Sequence, residues 1–182
     1  CSLRACQRRA TSHLLVPGLA RARHCQMALA HEHDGHGCQP RHLLGISEPD
    51  DLFAAVAAGA DTFDCVSPTR VARNAAIYSR FGRYNVNGAR YRRDFSPLDE
   101  GCDCYTCTHV TRAYLHHLFK AKEMLSATLA TIHNERFTVR LVDDIRAALK
   151  SGDFHAFRDE FLGRIYRRPA ARELIKLDHH IC

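Results

Sequence analysis

The chain has 182 residues, of which 46% are hydrophobic and 25% are charged, and its formal net charge is +6. This composition is typical of a soluble globular protein, and the length suffices for one domain with a core but not for a complete large barrel. No run of about 18 apolar residues is present, so we expect no membrane span. Because the chain starts at Cys1 without a signal segment, we also expect it to be incomplete and cytoplasmic.

The nine cysteines favour metal ligands and free thiols over a disulfide framework. Four of them lie in residues 1–40, a stretch without helical or alternating periodicity. Within it, His31, His33, His36 and Cys38 form either a metal-binding tract or part of a tail. Residues 1–40 therefore stay unassigned, and we expect them to be disordered or non-native.

Ordered structure is predicted to begin with a βαβ unit. Residues 42–46 and 62–66 are short apolar runs, which are typical of buried strands. Between them, Ser47 as N-cap and Pro49 in the first turn predict a helix that Gly59 ends. Strand, short helix and strand in this order indicate parallel pairing in an α/β fold.

Asp64 interrupts the second of these strands. An aspartate in a buried run either caps a turn or belongs to a functional site. In parallel α/β proteins the chemistry lies at the carboxyl ends of the strands, and Asp64 is near such an end.

Positive charge is concentrated after this strand, because Val66 to Arg93 contains seven arginines and no acidic residue. These are Arg70, Arg73, Arg80, Arg83, Arg90, Arg92 and Arg93. The stretch is either a solvated face or a surface for a phosphate-bearing partner. Its length without a counter-charge favours the partner, with RNA or DNA as the first hypothesis.

The remaining elements are a hairpin and helices. Residues 67–70 are interpreted as a strand break, and residues 77–86 as a hairpin around Gly82. From Thr108 the pattern is helical, with Tyr114, Leu115, Leu118 and Met124-Leu125 on one face and His116 largely outside it. Further helices are predicted over about 127–150 and from Phe154 to Ile165.

Cys102-Asp103-Cys104-Tyr105-Thr106-Cys107 is the motif with the most specific chemistry. CxCxxC spacing places three thiolates within reach of one ion, and a later histidine supplies the fourth ligand of a tetrahedral zinc site. Reduced cysteines in a loop are the alternative, but a polar turn is an unusual place for buried thiols. His133 is the best fourth ligand, while His109, His116 and His117 are weaker competitors.

Several motifs in order resemble one family. They are Phe63-Asp64-Cys65-Val66-Ser67-Pro68-Thr69-Arg70, Arg73-Asn74, the CxCxxC motif, residues 111–117 and Thr131-Ile132-His133-Asn134. Together they resemble the tRNA-guanine transglycosylases, also called queuine tRNA-ribosyltransferases, of the bacterial type. The resemblance covers roughly residues 40–165.

The resemblance implies the C-terminal part of a (β/α)8 TIM barrel with an inserted zinc-binding subdomain and C-terminal helices. Leu43 to Gly45 and Thr62 to Val66 would be the last two barrel strands. On this basis residues 41–76 form the last βαβ unit and residues 77–150 the zinc-binding subdomain with the helices that follow. Residues 151–182 would form a C-terminal helix and tail.

The resemblance also implies roles for individual residues. Asp64 would be the nucleophile that attacks C1′ of the wobble guanosine ribose, so that a 7-deazaguanine base replaces guanine through a covalent tRNA intermediate. Leu44 and Gly45 would border the base pocket, and Arg70 and Arg73 would grip the anticodon-loop backbone. Cys102, Cys104, Cys107 and His133 would bind one structural Zn2+, and the full-length protein would be a homodimer.

Two departures from the family pattern stand out. Ser67 replaces the more usual leucine before Pro-Thr-Arg, and the family's other catalytic aspartate lies on earlier strands that have no counterpart here. We therefore expect a C-terminal fragment that binds zinc but is inactive alone. A non-catalytic tRNA-binding partner subunit and a stand-alone zinc module are the alternatives.

Overall fold

A computed structural model describes residues 40–46 and 48–166. This part of the chain is rich in helix and has few strands. Predictions for residues 1–39, Ser47 and 167–182, including the histidine tract and the Ser47 cap, lie outside the described residues. The elements are β1 His42–Leu43, α1 Pro49–Ala57, β2 Thr62–Phe63, α2 Ser67–Arg73, β3 Ala76–Ile77, β4 Tyr84–Asn85, a 3-10 helix Ala89–Arg93, α3 Tyr105–His109, α4 Arg112–Lys120, α5 Met124–Ser151 and α6 Phe154–Tyr166.

The predicted βαβ unit is confirmed, although its strands are shorter than expected. β1 and β2 pair in parallel, with His42 opposite Thr62 and Leu43 opposite Phe63. The peptide N–H of Asp64 continues the ladder by donating to the Leu43 carbonyl at 3.3 Å. Gly45 then has φ +72°, a left-handed conformation that ends the extended strand. α1 starts with Pro49 in its first turn, as predicted.

Residues 67–70 form a helix, which corrects their interpretation as a simple break. α2 runs over Ser67–Arg73 with Pro68 in its first turn. Proline ends a strand, but its fixed φ and missing N–H also suit the first turn of a helix. Thr69 Oγ1 donates to the Val66 carbonyl at 2.9 Å and so stabilises the entry to α2.

The predicted hairpin is also confirmed. β3 and β4 pair antiparallel, with Ile77 opposite Tyr84. Gly82 at the tip has φ +108°, and a Cβ there would lie 2.9 Å from the Ile165 carbonyl oxygen of α6. Glycine is therefore required at this turn for both its conformation and the close approach of α6.

The helices lie near their predicted positions, with two corrections. Met124 and Leu125 begin α5 instead of ending the preceding helix, and the Met124 side chain is 88% exposed. The helical conformation is interrupted between α4 and α5 at Lys122, whose backbone is left-handed with φ +59°. His116 is buried instead of lying on the outside of α4, and its Nδ1 lies 2.8 Å from the Val86 carbonyl oxygen.

Helix α5 belongs to both hydrophobic clusters of the described chain. In the first cluster, its residues Leu141 and Ile145 join Phe53 of α1. The Phe53 ring lies 5.6–6.0 Å, between centroids, from three phenylalanine rings of α6. In the second cluster, Leu129 and Ala130 join the hairpin and α4. The helix thus connects the βαβ unit to the cysteine-bearing segment.

Asn134 attaches α5 to the segment around α2 and β3. Its side chain is fully buried, and Nδ2 donates to the carbonyl oxygens of Pro68 at 3.1 Å and Ala76 at 2.9 Å. Its Oδ1 accepts from the Tyr78 peptide N–H at 3.0 Å. One amide side chain therefore satisfies three backbone groups that are remote in sequence.

Within the part of the chain described, no helix is both long enough and apolar enough to cross a membrane. The proposed division into residues 41–76, 77–150 and 151–182 stays a prediction.

We predict that Asn134→Ala lowers the free energy of unfolding by roughly 3–5 kcal/mol, because it leaves buried backbone groups without partners. Urea denaturation followed by circular dichroism measures this. Asn74→Ala is the control, since the Asn74 side chain is exposed and bonds only the Arg70 carbonyl one turn back. Equal losses for the two variants would contradict the role given to Asn134.

Candidate functional site

The three cysteines of the CxCxxC motif and His133 converge on one point. Cys102 follows a turn at Gly101, whose φ is +75°, and Cys104 is the N-cap of α3, with its Sγ accepting from the Cys107 N–H at 3.3 Å. His133 reaches them from α5, and its Nδ1 lies 3.7, 3.5 and 3.2 Å from the sulfurs of Cys102, Cys104 and Cys107. All four ligand atoms lie within 4.8 Å of one another.

A backbone carbonyl sets the orientation of the His133 ring. The side chain is fully buried, and Nε2 lies 2.8 Å from the Tyr78 carbonyl oxygen. A carbonyl only accepts hydrogen bonds, so Nε2 carries a hydrogen and Nδ1 faces the sulfurs as the ligand atom.

These four residues fit a tetrahedral metal ion. Zn–S bonds of about 2.3 Å and Zn–N bonds of about 2.1 Å give tetrahedral edges of about 3.6 Å between sulfur and nitrogen. The three observed N–S distances, 3.2–3.7 Å, bracket that value. Three thiol sulfurs and one imidazole form a donor set that suits Zn2+, so the cluster can hold a metal ion.

The electrostatics of the cluster also favour a cation. Hydrogen bonds from Cys107 and His133 lower the pKa of Cys104 to about 4, while the pKa of Cys107 is raised because it donates to Cys104. Burial of His133 opposes a positive charge there, but its hydrogen bonds to Cys102 and Cys104 outweigh burial and raise its pKa to about 10. The sulfurs therefore share negative charge that a proton or a metal ion neutralises.

An ion pair fastens the cysteine turn to α5. Arg136, one turn after His133, binds Asp103 through Nε at 2.8 Å and Nη2 at 2.6 Å. Arg140 donates to the Gly101 carbonyl at 2.9 Å. The turn and the histidine are thus held together by contacts other than the ligands themselves.

The carboxylate of Asp64 lies just after β2 and is 58% exposed. Its Oδ1 accepts from the Gly45 peptide N–H at 3.2 Å, so the neighbouring parallel strand orients it. Gly45 is exposed, and the Leu44 side chain beside it is 69% exposed. The structure therefore brings these three predicted residues together at the carboxyl end of the two strands.

Sequence reasoning missed His42, whose imidazole lies beside the Asp64 carboxylate. His42 Nε2 lies 3.6 Å from Asp64 Oδ1, and His42 Nδ1 lies 2.8 Å from Thr62 Oγ1. Alternation along a strand places Thr62 and Asp64 on one face, and parallel pairing places His42 opposite Thr62. This alternation could have predicted the contact between His42 and Asp64, but only if the register of β1 against β2 had been known.

Arg70 and Arg73 lie in the last turn of α2 with exposed side chains. Within residues 40–46 and 48–166, no carboxylate lies within ion-pair distance of either guanidinium. Two other arginines of the same run do pair with acids, since Arg80 contacts Asp99 at 3.2 Å and Arg83 contacts Glu48 at 3.5 Å.

Comparison with known proteins identifies the family. The model of the family described as Queuine tRNA-ribosyltransferase matches residues 22–167, and so includes part of the stretch that was left unassigned. A queuine tRNA-ribosyltransferase of Caldanaerobacter subterraneus subsp. tengcongensis is 51% identical over 128 residues, which are 70% of this chain and 34% of that protein.

Two further relatives with the same name give a similar result. The protein of Lactococcus lactis subsp. lactis is 47% identical over 136 residues, 74% of this chain and 36% of that protein. The protein of Symbiobacterium thermophilum is 48% identical over 134 residues, 74% of this chain and 34% of that protein. The chain spans about a third of the length of these relatives. By this match and these identities, the chain belongs to the queuine tRNA-ribosyltransferase family.

Proposed function

We propose that this chain carries the nucleophile, the anticodon-binding helix and the zinc subdomain of a tRNA-guanine transglycosylase. The reaction exchanges the wobble guanine of tRNA for a 7-deazaguanine base in queuosine biosynthesis. The observation that carries the proposal is the Asp64 carboxylate, which is exposed at the end of β2 and held by the Gly45 N–H. In this proposal β1 and β2 are the last two strands of a (β/α)8 barrel.

Asp64 has the chemistry that the exchange requires. One carboxylate oxygen accepts from Gly45 at 3.2 Å, which leaves the other free to attack C1′ of the ribose. The C1′–N9 bond breaks with its electrons going to guanine, and an Asp64–C1′ ester forms. The departing guanine takes up one proton, and the ring N–H nitrogen of the incoming base loses one as it attacks C1′ and Asp64 leaves as a carboxylate, so that the exchange involves no net change in protons. A carboxylate both attacks and leaves such an oxocarbenium-like carbon, as in retaining glycosidases.

The neighbouring residues fit the binding of base and tRNA. Gly45 has no side chain, and a Cβ placed there would have no heavy atom within 4 Å, so a flat base has room to approach the backbone. Leu44 offers an exposed apolar surface at the rim. Arg70 and Arg73 present exposed guanidinium groups on α2 that pair with no carboxylate of the described residues, a few residues after Asp64, and this favours the binding of phosphates.

The metal in this proposal is a structural Zn2+ held by Cys102, Cys104, Cys107 and His133. Four protein ligands leave no open position for a substrate, and the burial of His133 agrees with a structural role. The ion would fasten the cysteine turn to α5, and hence to the Tyr78 backbone that His133 and Asn134 both bind. A homodimer is a further part of the proposal, and the exposed side chains of Tyr114, Met124 and Leu125 are a surface that it could bury.

We predict that the purified chain contains about one zinc per molecule and that His133→Ala or Cys104→Ser reduces this to near zero after dialysis. Chelation should lower the melting temperature of the parent chain, and zinc affinity should weaken at acid pH because the thiols must lose protons to bind. Atomic absorption and thermal unfolding measure these effects. Cys65→Ser is the matched control, since Cys65 lies outside the cluster, and its zinc content should not change.

We predict that exchange requires Asp64. The test joins the N-terminal two-thirds of the Caldanaerobacter relative to residues 41–166 of this chain and measures incorporation of labelled guanine into tRNA. Asp64→Asn in this chimera should reduce turnover by roughly a thousandfold or more, since the amide is a poor nucleophile. Asp61→Asn is the control, because this exposed carboxylate contacts the Arg41 N–H at the other end of β2.

One result would contradict the role of Asp64, and another would contradict the expectation that the chain is inactive alone. If the Asp64→Asn chimera keeps nearly parental turnover, Asp64 is not the nucleophile. If this chain by itself catalyses exchange, then the open surroundings of Asp64 and Leu44, with 58% and 69% of their side chains exposed, suffice for activity. We expect no exchange by the chain alone, because so open a site does not exclude water or enclose the base.

A further inference from the structure

The 3-10 helix Ala89–Arg93 carries a second group of exposed cations. Arg92 and Arg93 are exposed, and no carboxylate in the described part of the chain is within ion-pair distance of them. Arg90 differs, because its guanidinium stacks on the Tyr91 ring at 4.6 Å and donates to the Tyr91 hydroxyl. Arg92 and Arg93 are therefore the cations of this helix that are available to a partner.

The 3-10 helix is anchored firmly to the core. Tyr91 is 7% exposed, and its ring lies 5.1 Å from that of Tyr84, whose hydroxyl donates to the Leu98 carbonyl at 2.8 Å. The helix also packs against α4. Arg92 and Arg93 thus project from a fixed base, so that binding orders two side chains and no backbone.

The nearest acid in sequence does not neutralise these arginines. The Asp94 carboxylate accepts from Arg112 Nη1 at 3.0 Å and from the Ser96 N–H at 3.0 Å. The charge of Asp94 is thereby balanced by Arg112 of α4. Among the described residues, Asp94 forms no ion pair with Arg92 or Arg93.

Two hydrogen bonds connect the segment that precedes this helix to the residues that follow α2. Asn85 Nδ2 donates to the Asn74 carbonyl at 3.2 Å, and the Val86 N–H donates to the Ala75 carbonyl at 2.9 Å. A turn follows, in which the Gly88 N–H donates to the Asn85 carbonyl at 3.3 Å. Arg92 is seven residues beyond Asn85, so its Cα lies within about 25 Å of the Cα of Asn85, the residue that contacts Asn74.

We propose that Arg92 and Arg93 form a second phosphate-binding patch, which contacts the backbone of the anticodon stem of the tRNA whose loop Arg70 and Arg73 bind. This inference rests on the proposed function. Two neighbouring exposed arginines, with no carboxylate of the described residues within ion-pair distance, match a partner that repeats its negative charge, since no pocket is needed to recognise a polyanion. The patch fixes the position of the duplex without reading its sequence.

The test measures binding of the full chain to two RNAs by fluorescence anisotropy at several salt concentrations. One RNA is the anticodon stem-loop, and the other is the single-stranded loop heptamer. Arg92→Ala with Arg93→Ala should weaken stem-loop binding roughly tenfold or more at low salt and reduce the magnitude of the log–log salt slope by about 1.5–2. Heptamer binding should change little.

Lys150→Ala with Arg158→Ala is the control, because it removes the same formal charge from α5 and α6, outside the arginine run of residues 66–93. It should change stem-loop binding by no more than about twofold, as expected for a general charge effect. Equal losses for the two double variants, or no loss with Arg92→Ala and Arg93→Ala, would overturn the inference. An equal loss with the heptamer would place the contact in the loop and would also overturn it.

The outcome is separable from that of the proposed function. Suppose that Arg70→Ala with Arg73→Ala weakens binding to both RNAs and that the Asp64→Asn chimera is inactive. If the variant with Arg92→Ala and Arg93→Ala then binds the stem-loop as well as the parent chain does, only the proposal of the second patch is rejected. Absence of any stem-loop binding by the parent chain would also reject the patch, whereas the exchange assay would still decide the role of Asp64.

Discussion

The backbone N–H and C=O groups of one residue, Tyr78, are the point on which α5 is fixed. Its carbonyl oxygen lies 2.8 Å from His133 Nε2, and its N–H donates to Asn134 Oδ1 at 3.0 Å. Two consecutive side chains of α5 thus satisfy both polar groups of one buried residue, which would otherwise cost about 1–3 kcal/mol each. The contact with Tyr78 aims His133 Nδ1 at the cysteines, and Asn134 Nδ2 also donates to the Pro68 carbonyl at the start of α2 at 3.1 Å. The candidate metal centre and the arginine-bearing helix are therefore parts of one packed unit.

The candidate catalytic carboxylate has a different kind of support. Asp64 is oriented by the backbone of the adjacent strand, through the Gly45 N–H, and the His42 imidazole lies 3.6 Å from its Oδ1. Strand ends place such groups accurately because the hydrogen-bond ladder fixes the backbone on both sides. The surroundings are open in this chain, which spans about a third of the length of its relatives. The proposal of exchange chemistry therefore concerns the complete catalytic site, of which these residues are one wall.

The positive charge at the surface depends on which arginines form ion pairs with acidic residues of the chain. Asp99, Glu48 and Asp94 each take an arginine as partner, at 3.2, 3.5 and 3.0 Å. Arg80, Arg83 and Arg112 are therefore engaged in ion pairs, and these pairs attach the hairpin and α4 to neighbouring segments. Among the described residues, Arg70 and Arg73 of α2 and Arg92 and Arg93 of the 3-10 helix have no such partner and remain as exposed positive charge. This exposed charge is the basis of the phosphate contacts that we propose.

The sequence by itself determined the features that depend on short spacing. CxCxxC brings three sulfurs together within one turn, the βαβ pattern predicts parallel strands, and Gly82 predicts a hairpin, and the structure contains each of them. The sequence also favoured His133 over the histidines closer to the motif, but only the tertiary structure shows the packing that brings this remote residue to the sulfurs. His116 is buried against Val86, whereas His133 reaches the sulfurs from another helix. Likewise, His42 meets Asp64 only through strand register, and Arg80 meets Asp99 only through folding. Contacts between distant residues depend on how whole elements pack, and local spacing does not contain that information.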